Sequence, residues 1–142
     1  MKISTKGRYA LRVMVTIAEI NSGEYIPLKS IAEKQDISQK YLENIMTMLS
    51  KANLVDALHG KGGGYKLCKS PSEYTVGEIL RLTEGSLAPV ACLDEGAETC
   101  PKASYCRTLP MWKELDELIN NFFDQYTLDD LVQTESNGDY II

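Results

Sequence analysis

Apolar residues recur at helical spacing through the first fifty residues of the chain. Between Thr5 and Ile20 they fall three and four positions apart, which predicts an amphipathic helix. Pro27 opens a shorter helical segment that ends near Gln35, and Ser38 stands where the N-cap of a third helix is expected. The polar face of that third helix consists of Gln39, Lys40, Glu43, Asn44 and Thr47. A short helix, a tight turn and a helix with a polar face predict a helix-turn-helix.

After Leu54 the period of the pattern changes from that of a helix to that of a strand. Residues 55–59 and 64–68 predict two short strands, and the glycine-rich stretch 60–63 joins them. The hairpin carries three lysines, which are Lys61, Lys66 and Lys69. A basic hairpin directly after a helix-turn-helix predicts a wing.

Three more helices are predicted in the rest of the chain. Thr75 caps the first, which ends at Gly85, a long helix begins at Thr108, and Thr127 caps a last short one. The long helix carries an aromatic-rich apolar stripe, formed by Trp112, Leu115, Leu118, Ile119, Phe122, Phe123 and Tyr126. A stripe of this size in a small chain indicates a core or a subunit interface. The predicted fold class is therefore mainly α with a small β-hairpin.

Charge is divided unevenly along the 142 residues. The whole chain has 15 basic and 20 acidic side chains, a net charge of -5. Residues 1–84 carry 12 basic and 9 acidic side chains (+3), whereas residues 85–142 carry 3 and 11 (-8). This asymmetry indicates a nucleic-acid partner for the first part. No apolar run approaches the length of a membrane span and no signal-peptide core follows Met1, so we expect a cytoplasmic protein with no membrane partner.

Three of the four cysteines, Cys92, Cys100 and Cys106, fall within fifteen residues of a segment that has no periodicity. Clustered thiols in a reducing compartment bind metal or sense redox state more often than they form structural disulfides. Three thiolates of one segment can converge on a soft metal centre, and thiolate is the standard ligand of iron–sulfur clusters. The spacing alone leaves metal binding, ordinary thiols and a regulatory disulfide open. We expect Cys68 to be a small packed residue of the hairpin.

Catalysis and nucleotide binding find no support in the sequence. The glycines near residue 62 do not form a phosphate-binding loop, because Lys61 precedes them and no Ser or Thr follows. His59 is the single histidine, and no nucleophile–base pair can be assembled around it. We therefore do not expect an enzyme. The predicted wing and recognition helix also disfavour a small iron–sulfur carrier with no role on DNA.

These motifs resemble the Rrf2 family of bacterial winged-helix regulators over essentially the whole chain. The resemblance is carried by residues 1–10, 37–43, 60–65 and 76–79, by the cysteine segment and by residues 109–112. It implies a homodimer in which the long helix crosses to the partner subunit. The implied organisation is a winged helix-turn-helix DNA-binding domain over 1–85, a cysteine-containing sensor loop over 86–107, and a dimerisation helix with a short C-terminal helix over 108–142.

The resemblance also implies the residues that contact a double-stranded DNA operator. They are Ser38, Lys40, Tyr41, Glu43 and Asn44 in the recognition helix, and His59, Gly60, Lys61 and Gly62 in the wing.

Iron–sulfur members of the family imply that Cys92, Cys100 and Cys106 ligate a cluster of the 2Fe–2S or 4Fe–4S type. Leu109 stands where the cluster regulator of the family has its fourth ligand, a histidine. Members that repress cysteine metabolism lack these cysteines and work with a partner enzyme. We therefore expect a dimeric regulator that senses cluster, iron or redox status. The alternative is a cluster-free repressor, for example of cysteine or sulfur metabolism, controlled by a partner protein or by thiol oxidation.

Overall fold

The computed structural model describes residues 2–134 of the chain. Within that range the secondary structure is mainly helical, with one antiparallel pair of strands. In chain order, the elements are α1 (Thr5–Ile20), α2 (Leu28–Gln35), α3 (Gln39–Lys51), β1 (Val55–Leu58), β2 (Gly64–Leu67), α4 (Val76–Glu84), α5 (Leu109–Gln125) and α6 (Leu128–Gln133). Two short 3₁₀ turns cover Pro71–Glu73 and Ala91–Leu93. The predicted order of helices and strands is confirmed.

The described residues form two compact units. One comprises residues 2–11 and 75–126, and the other comprises residues 12–74 and 127–134, so that α1 contributes residues to both. The expected functional segments 1–85, 86–107 and 108–142 stay a prediction. Residues 135–142 of the last segment lie outside the described part of the chain.

The unit of residues 12–74 and 127–134 contains the predicted helix-turn-helix. Helix α2 packs against α3, and α3 packs against β1. Between α2 and α3 the chain turns through Asp36, which takes the left-handed conformation (φ 52°) and donates its backbone N–H to the end of α2. The apolar face of α3 is fully buried, as the helical spacing predicts: Leu42, Ile45, Met46 and Leu49. This burial leaves the opposite, polar face of α3 to the solvent.

The hairpin of β1 and β2 gains a third extended segment at Ile26, which lies outside the predicted strands. The backbone of Ile26 bonds to Tyr65 in both directions, with N–H···O distances of 2.8 and 2.9 Å. Strands β1 and β2 end one residue earlier than predicted, at Leu58 and Leu67. The prediction that Cys68 is packed is wrong: it follows the end of β2 and is exposed.

At two positions of the hairpin, neighbouring backbone atoms leave no room for any side chain, so only glycine fits. A Cβ atom on Gly63 would collide with the backbone carbonyl of Leu58, and one on Gly64 would collide with the backbone carbonyl of Ile26. Backbone atoms cannot move aside as a flexible side chain can. Only glycine therefore allows the strands to approach as closely as they do.

The unit of residues 2–11 and 75–126 is built around the contact of α4 with α5. Arg81 of α4 donates to Asn120 at 2.9 Å and to Asp124 at 2.8 Å, both on α5. Tyr126, directly after α5, accepts the backbone N–H of Val76 at 2.9 Å. These bonds fix one side of α5 against α4.

The other side of α5 is not covered by any of the residues 2–134. None of the residues 109–125 is buried, and the exposed fraction reaches 61% at Leu118 and 53% at Phe122. These residues belong to the apolar stripe that the sequence assigns to a core or an interface, so the stripe does not form the core of this chain. Across residues 2–134, no helix has both the length and the apolar composition needed to cross a membrane.

Candidate nucleic-acid interface and cysteine segment

The first turn of α3 is held by a side-chain cap. The Ser38 hydroxyl accepts the backbone N–H of Tyr41 at 3.2 Å, which satisfies one of the donors that a helix start leaves open. The predicted contact residues Ser38, Lys40, Glu43 and Asn44 are exposed, and Tyr41 is half-buried. A capped first turn with amide, basic and acidic side chains can reach base edges in the major groove.

The predicted wing residues lie together in the turn between β1 and β2. His59, Gly60, Lys61 and Gly62 are all exposed. Gly60 and Gly62 have positive φ angles of 91° and 78°, which glycine adopts without strain. Because these glycines carry no side chain and have open space around them, the backbone of the turn can approach a phosphate closely.

The base of the wing carries a group of side chains that the sequence pattern did not reveal. The Tyr25 hydroxyl donates to the Asp56 carboxylate at 2.7 Å, and the Lys66 ammonium lies 4.6 Å from the centre of the Tyr25 ring. Hydrogen bonding to Asp56 raises the pKa of the Tyr25 hydroxyl, with smaller contributions from partial burial and from the charge of Asp56. Strand alternation marks Asp56 and Lys66 as solvent-facing, but no local signal in the sequence links them to Tyr25.

Tyr74 anchors the chain where it leaves the wing. Its side chain is fully buried, and its hydroxyl donates to the backbone carbonyl of Leu54 at 2.7 Å. The same oxygen accepts the backbone N–H groups of Cys68 at 2.9 Å and Lys69 at 3.3 Å. The Lys69 ammonium lies 4.7 Å from the centre of the Tyr74 ring. Partial burial, and next the charge of Asp56, raise the pKa of the Cys68 thiol.

The segment between α4 and α5 carries the three clustered cysteines as free thiols. Cys92 is exposed in the 3₁₀ turn Ala91–Leu93, while Cys100 and Cys106 are half-buried. The Cys106 sulfur lies 3.5 Å from the hydroxyl oxygen of Thr108. This hydrogen bond, together with backbone N–H groups, lowers the pKa of the Cys106 thiol.

The chemistry of this segment fits an iron–sulfur cluster, because it offers three thiols that form no disulfide and are exposed or half-buried. The structure does not gather them into a finished site: within residues 2–134, no three Cys, His, Asp or Glu side chains are placed to hold a metal together. Leu109, the first residue of α5, offers no donor atom. The assignment of Cys92, Cys100 and Cys106 as ligands stays a prediction.

Comparison with known proteins places these features in a family. The sequence pattern of the Rrf2 family, described as an iron-dependent transcriptional regulator, matches residues 3–134. The HTH-type transcriptional regulator IscR of Pectobacterium carotovorum is 36% identical over 135 residues, which cover 95% of this chain and 81% of that protein.

Solved structures agree with that sequence match. CymR (YrzC), the global cysteine regulator of B. subtilis, superposes with a TM-score of 0.77 at 36% identity and covers 95% of this chain and 99% of its own. IscR of T. potens superposes with a TM-score of 0.73 at 32% identity, and the match covers 96% of this chain and 94% of that one. These proteins are regulators and not enzymes, and their likeness confirms the winged-helix fold.

Proposed function

The chain belongs to the Rrf2 family of transcriptional regulators, and from this premise we propose that it is a homodimeric DNA-binding regulator that senses iron–sulfur or redox status through Cys92, Cys100 and Cys106. The observation that carries the proposal is the joint presence of an exposed recognition helix with its wing and a separate segment with three free thiols. The first supplies the output on DNA, and the second supplies the sensor.

On the operator, the first turn of α3 would enter the major groove. Lys40 can bond to the acceptors of guanine and Asn44 to the edge of adenine, while Glu43 can accept from the amino group of cytosine. The wing turn would lie against the backbone, with Lys61 near a phosphate. Residues 1–84 carry the +3 charge, so binding is expected to weaken steeply as salt is raised.

The proposed homodimer rests on α5. A helix of 17 residues with an apolar stripe and no buried residue is unusual in a monomeric protein, because large exposed apolar patches mark interaction sites. A second copy of α5 presents the same stripe and would cover it. Two copies also supply two recognition helices, as a two-fold symmetric operator requires.

For the sensor, Cys92, Cys100 and Cys106 would hold the cluster as thiolates. Leu109 cannot donate, so the fourth ligand would come from a loop carboxylate such as Asp94, from the partner subunit or from a small thiol. A bound cluster supplies a redox-sensitive, oxygen-labile centre. Because the thiols are not gathered beforehand, holding it would require the segment between α4 and α5 to rearrange.

An anaerobic ultraviolet–visible spectrum of freshly purified protein tests this proposal. We expect absorbance in the visible region that is lost in each of Cys92→Ala, Cys100→Ala and Cys106→Ala, together with altered binding to an operator selected from random DNA. Cys68→Ala is the matched control, since Cys68 lies in the other unit. It is expected to keep the visible absorbance and the wild-type binding to the operator. Iron-free, colourless protein after anaerobic reconstitution would refute the cluster.

The second candidate is a cluster-free repressor controlled by thiol oxidation or by a partner protein. It is favoured by the likeness to CymR of B. subtilis and by the lowered pKa of the Cys106 thiol, since thiolates are the reactive form. Under this function, peroxide treatment of the colourless protein changes DNA affinity reversibly, and a reductant restores it. A partner protein would instead change the DNA affinity without any loss of free thiols.

A further inference from the structure

We propose that Tyr25 is a positioning residue for the wing and that Lys61 is the wing lysine delivered to the DNA backbone, because two tyrosine rings hold the other two wing lysines. The proposal rests on the DNA-binding function and adds to it a division of labour among the lysines. Lys61, Lys66 and Lys69 appear equivalent in the sequence. Their surroundings in the structure differ.

Tyr25 contacts both strands of the wing from outside the hairpin. Its hydroxyl bonds to Asp56 of β1 at 2.7 Å, and its ring lies under Lys66 of β2 at 4.6 Å. Asp56 and Lys66 are directly opposite each other in the strand register. One side chain therefore bridges the two strands at the same rung of the ladder.

The backbone beside Tyr25 continues this attachment into the helix-turn-helix. Ile26 is buried and pairs with Tyr65 of β2 through two backbone hydrogen bonds of 2.8 and 2.9 Å. Pro27 follows and precedes the first residue of α2. The segment that leads into the helix-turn-helix is thus also paired with β2 through one bridge, and the Tyr25 side chain contacts both strands of the hairpin.

The same geometry separates the three lysines. Lys66 lies over Tyr25, opposite the carboxylate of Asp56, and Lys69 lies over Tyr74. A lysine over an aromatic ring has an attractive partner that competes with a phosphate for the position of the ammonium group. Within residues 2–134, Lys61 has neither a hydrogen bond nor an ion pair, and it is exposed in the turn. One lysine per wing, or two per dimer, is then available to phosphate.

Salt dependence counts such contacts directly. The logarithm of the binding constant falls with the logarithm of salt concentration by about 0.9 for each phosphate neutralised. We would measure this slope by fluorescence anisotropy with a labelled random-sequence duplex of about 30 base pairs, long enough for two half-sites one helical turn apart. Lys61→Gln is expected to reduce the slope by about 1.8 for a dimer. The matched variants Lys66→Gln and Lys69→Gln are expected to leave it nearly unchanged, and an equal reduction by either would overturn the assignment.

Variants of Tyr25 test the positioning role. Tyr25→Leu removes the ring and the hydroxyl, and it also releases Lys66. We therefore measure it in the Lys66→Gln background, where we expect its slope to fall to that of Lys61→Gln, with no further decrease when Lys61→Gln is added. Tyr25→Phe keeps the ring under Lys66 but loses the bond to Asp56 of β1, so we expect its slope to lie between those of wild type and Lys61→Gln. A role limited to stability would lower the urea midpoint of Tyr25→Leu and leave the slope of the folded protein unchanged. That result, or failure of both Tyr25→Leu and Tyr25→Gln to fold, would make Tyr25 a structural residue and overturn the proposal.

Loss of the DNA-binding function and loss of the division among the lysines give different results. A wild-type protein that binds neither random duplex nor DNA selected from a random pool refutes the DNA-binding function, and this inference with it. A wild-type protein that binds with a steep slope, unaffected by Lys61→Gln, refutes the division among the lysines alone.

Discussion

Tyr74→Phe removes one oxygen atom from the core at the exit of the wing. The hydroxyl of Tyr74 donates to the backbone carbonyl of Leu54, which belongs to a buried residue. A buried acceptor left without its donor costs about 1–3 kcal/mol. The two N–H groups that the hydroxyl accepts belong to Cys68 and Lys69, which are exposed, so water can replace the hydroxyl there at little cost. The expected loss of unfolding free energy is therefore about 1–3 kcal/mol.

Urea denaturation at a fixed protein concentration measures this loss, because the stability of the proposed dimer would depend on concentration. In a thermal scan, each kcal/mol of lost unfolding free energy lowers the Tm of a chain of this size by roughly 3–5 °C. Tyr105→Phe is the matched control, since Tyr105 is 69% exposed, and we expect it to change stability by less than about 0.5 kcal/mol. A Tyr74→Phe protein as stable as this control would show that the Leu54 carbonyl does not depend on the tyrosine, which refutes the reasoning.

Three further predictions concern the recognition helix, the free thiol of the wing and α5. Ser38→Ala removes the cap of α3 and is expected to lower the unfolding free energy by about 0.5–2 kcal/mol, whereas Ser38→Gly costs a few tenths; urea midpoints of the two variants check this. In a protein without the other three cysteines, the alkylation rate of Cys68 should reach half its maximum at a pH above the usual thiol pKa, because partial burial and the charge of Asp56 raise the pKa of this thiol. Asp56→Asn should move the midpoint of the rate profile to lower pH. Leu118→Glu places a charge in the exposed stripe of α5 and should shift the mass in size-exclusion chromatography with light scattering from that of the proposed dimer to that of a monomer, while Lys113→Glu on the same helix should not. An unchanged dimer in Leu118→Glu would place the subunit interface elsewhere.

The helices were predictable because each carries its own period and its own boundary residues. The bounds of α1 and α2 agree with the sequence pattern, and Ser38 and Thr75 cap the helices that they were expected to cap. The exposed polar face of α3 follows from the burial of its apolar face, so the helical spacing alone places the candidate DNA contacts on it.

The wing was predictable only within its own two strands. Pairing of Ile26 with Tyr65 joins residues 39 positions apart, and the contact of Tyr25 with Asp56 spans 31 positions. A local pattern carries no signal for such pairs, because the residues that meet are chosen by the fold of the whole unit. Cys68 was misplaced for a related reason: β2 ends before it, and strand boundaries are the least certain part of any pattern.

The cysteine segment shows the opposite case, in which the sequence is more informative than the arrangement of the free chain. Three thiols of one segment are a chemical signal that is independent of periodicity. Their placement in the structure depends on short turns and loop bonds, such as the bond of Cys106 to Thr108. The order that a cluster would impose comes from the metal, because metal binding and local folding are coupled.

Gly63 and Gly64 have a consequence for how variants of this protein are scored. Their demand for glycine comes from the carbonyl groups of Leu58 and Ile26 inside the wing, and no nucleotide takes part in it. A screen that selects for repression in cells would count every substitution at these two positions as a defect in DNA recognition, although the defect arises in the protein before any encounter with DNA. An engineered variant retargeted to an entirely different operator would still need both glycines. In a library designed to change specificity, positions 63 and 64 are therefore kept constant, and the randomised positions belong to the exposed turn before them and to the first turn of the recognition helix.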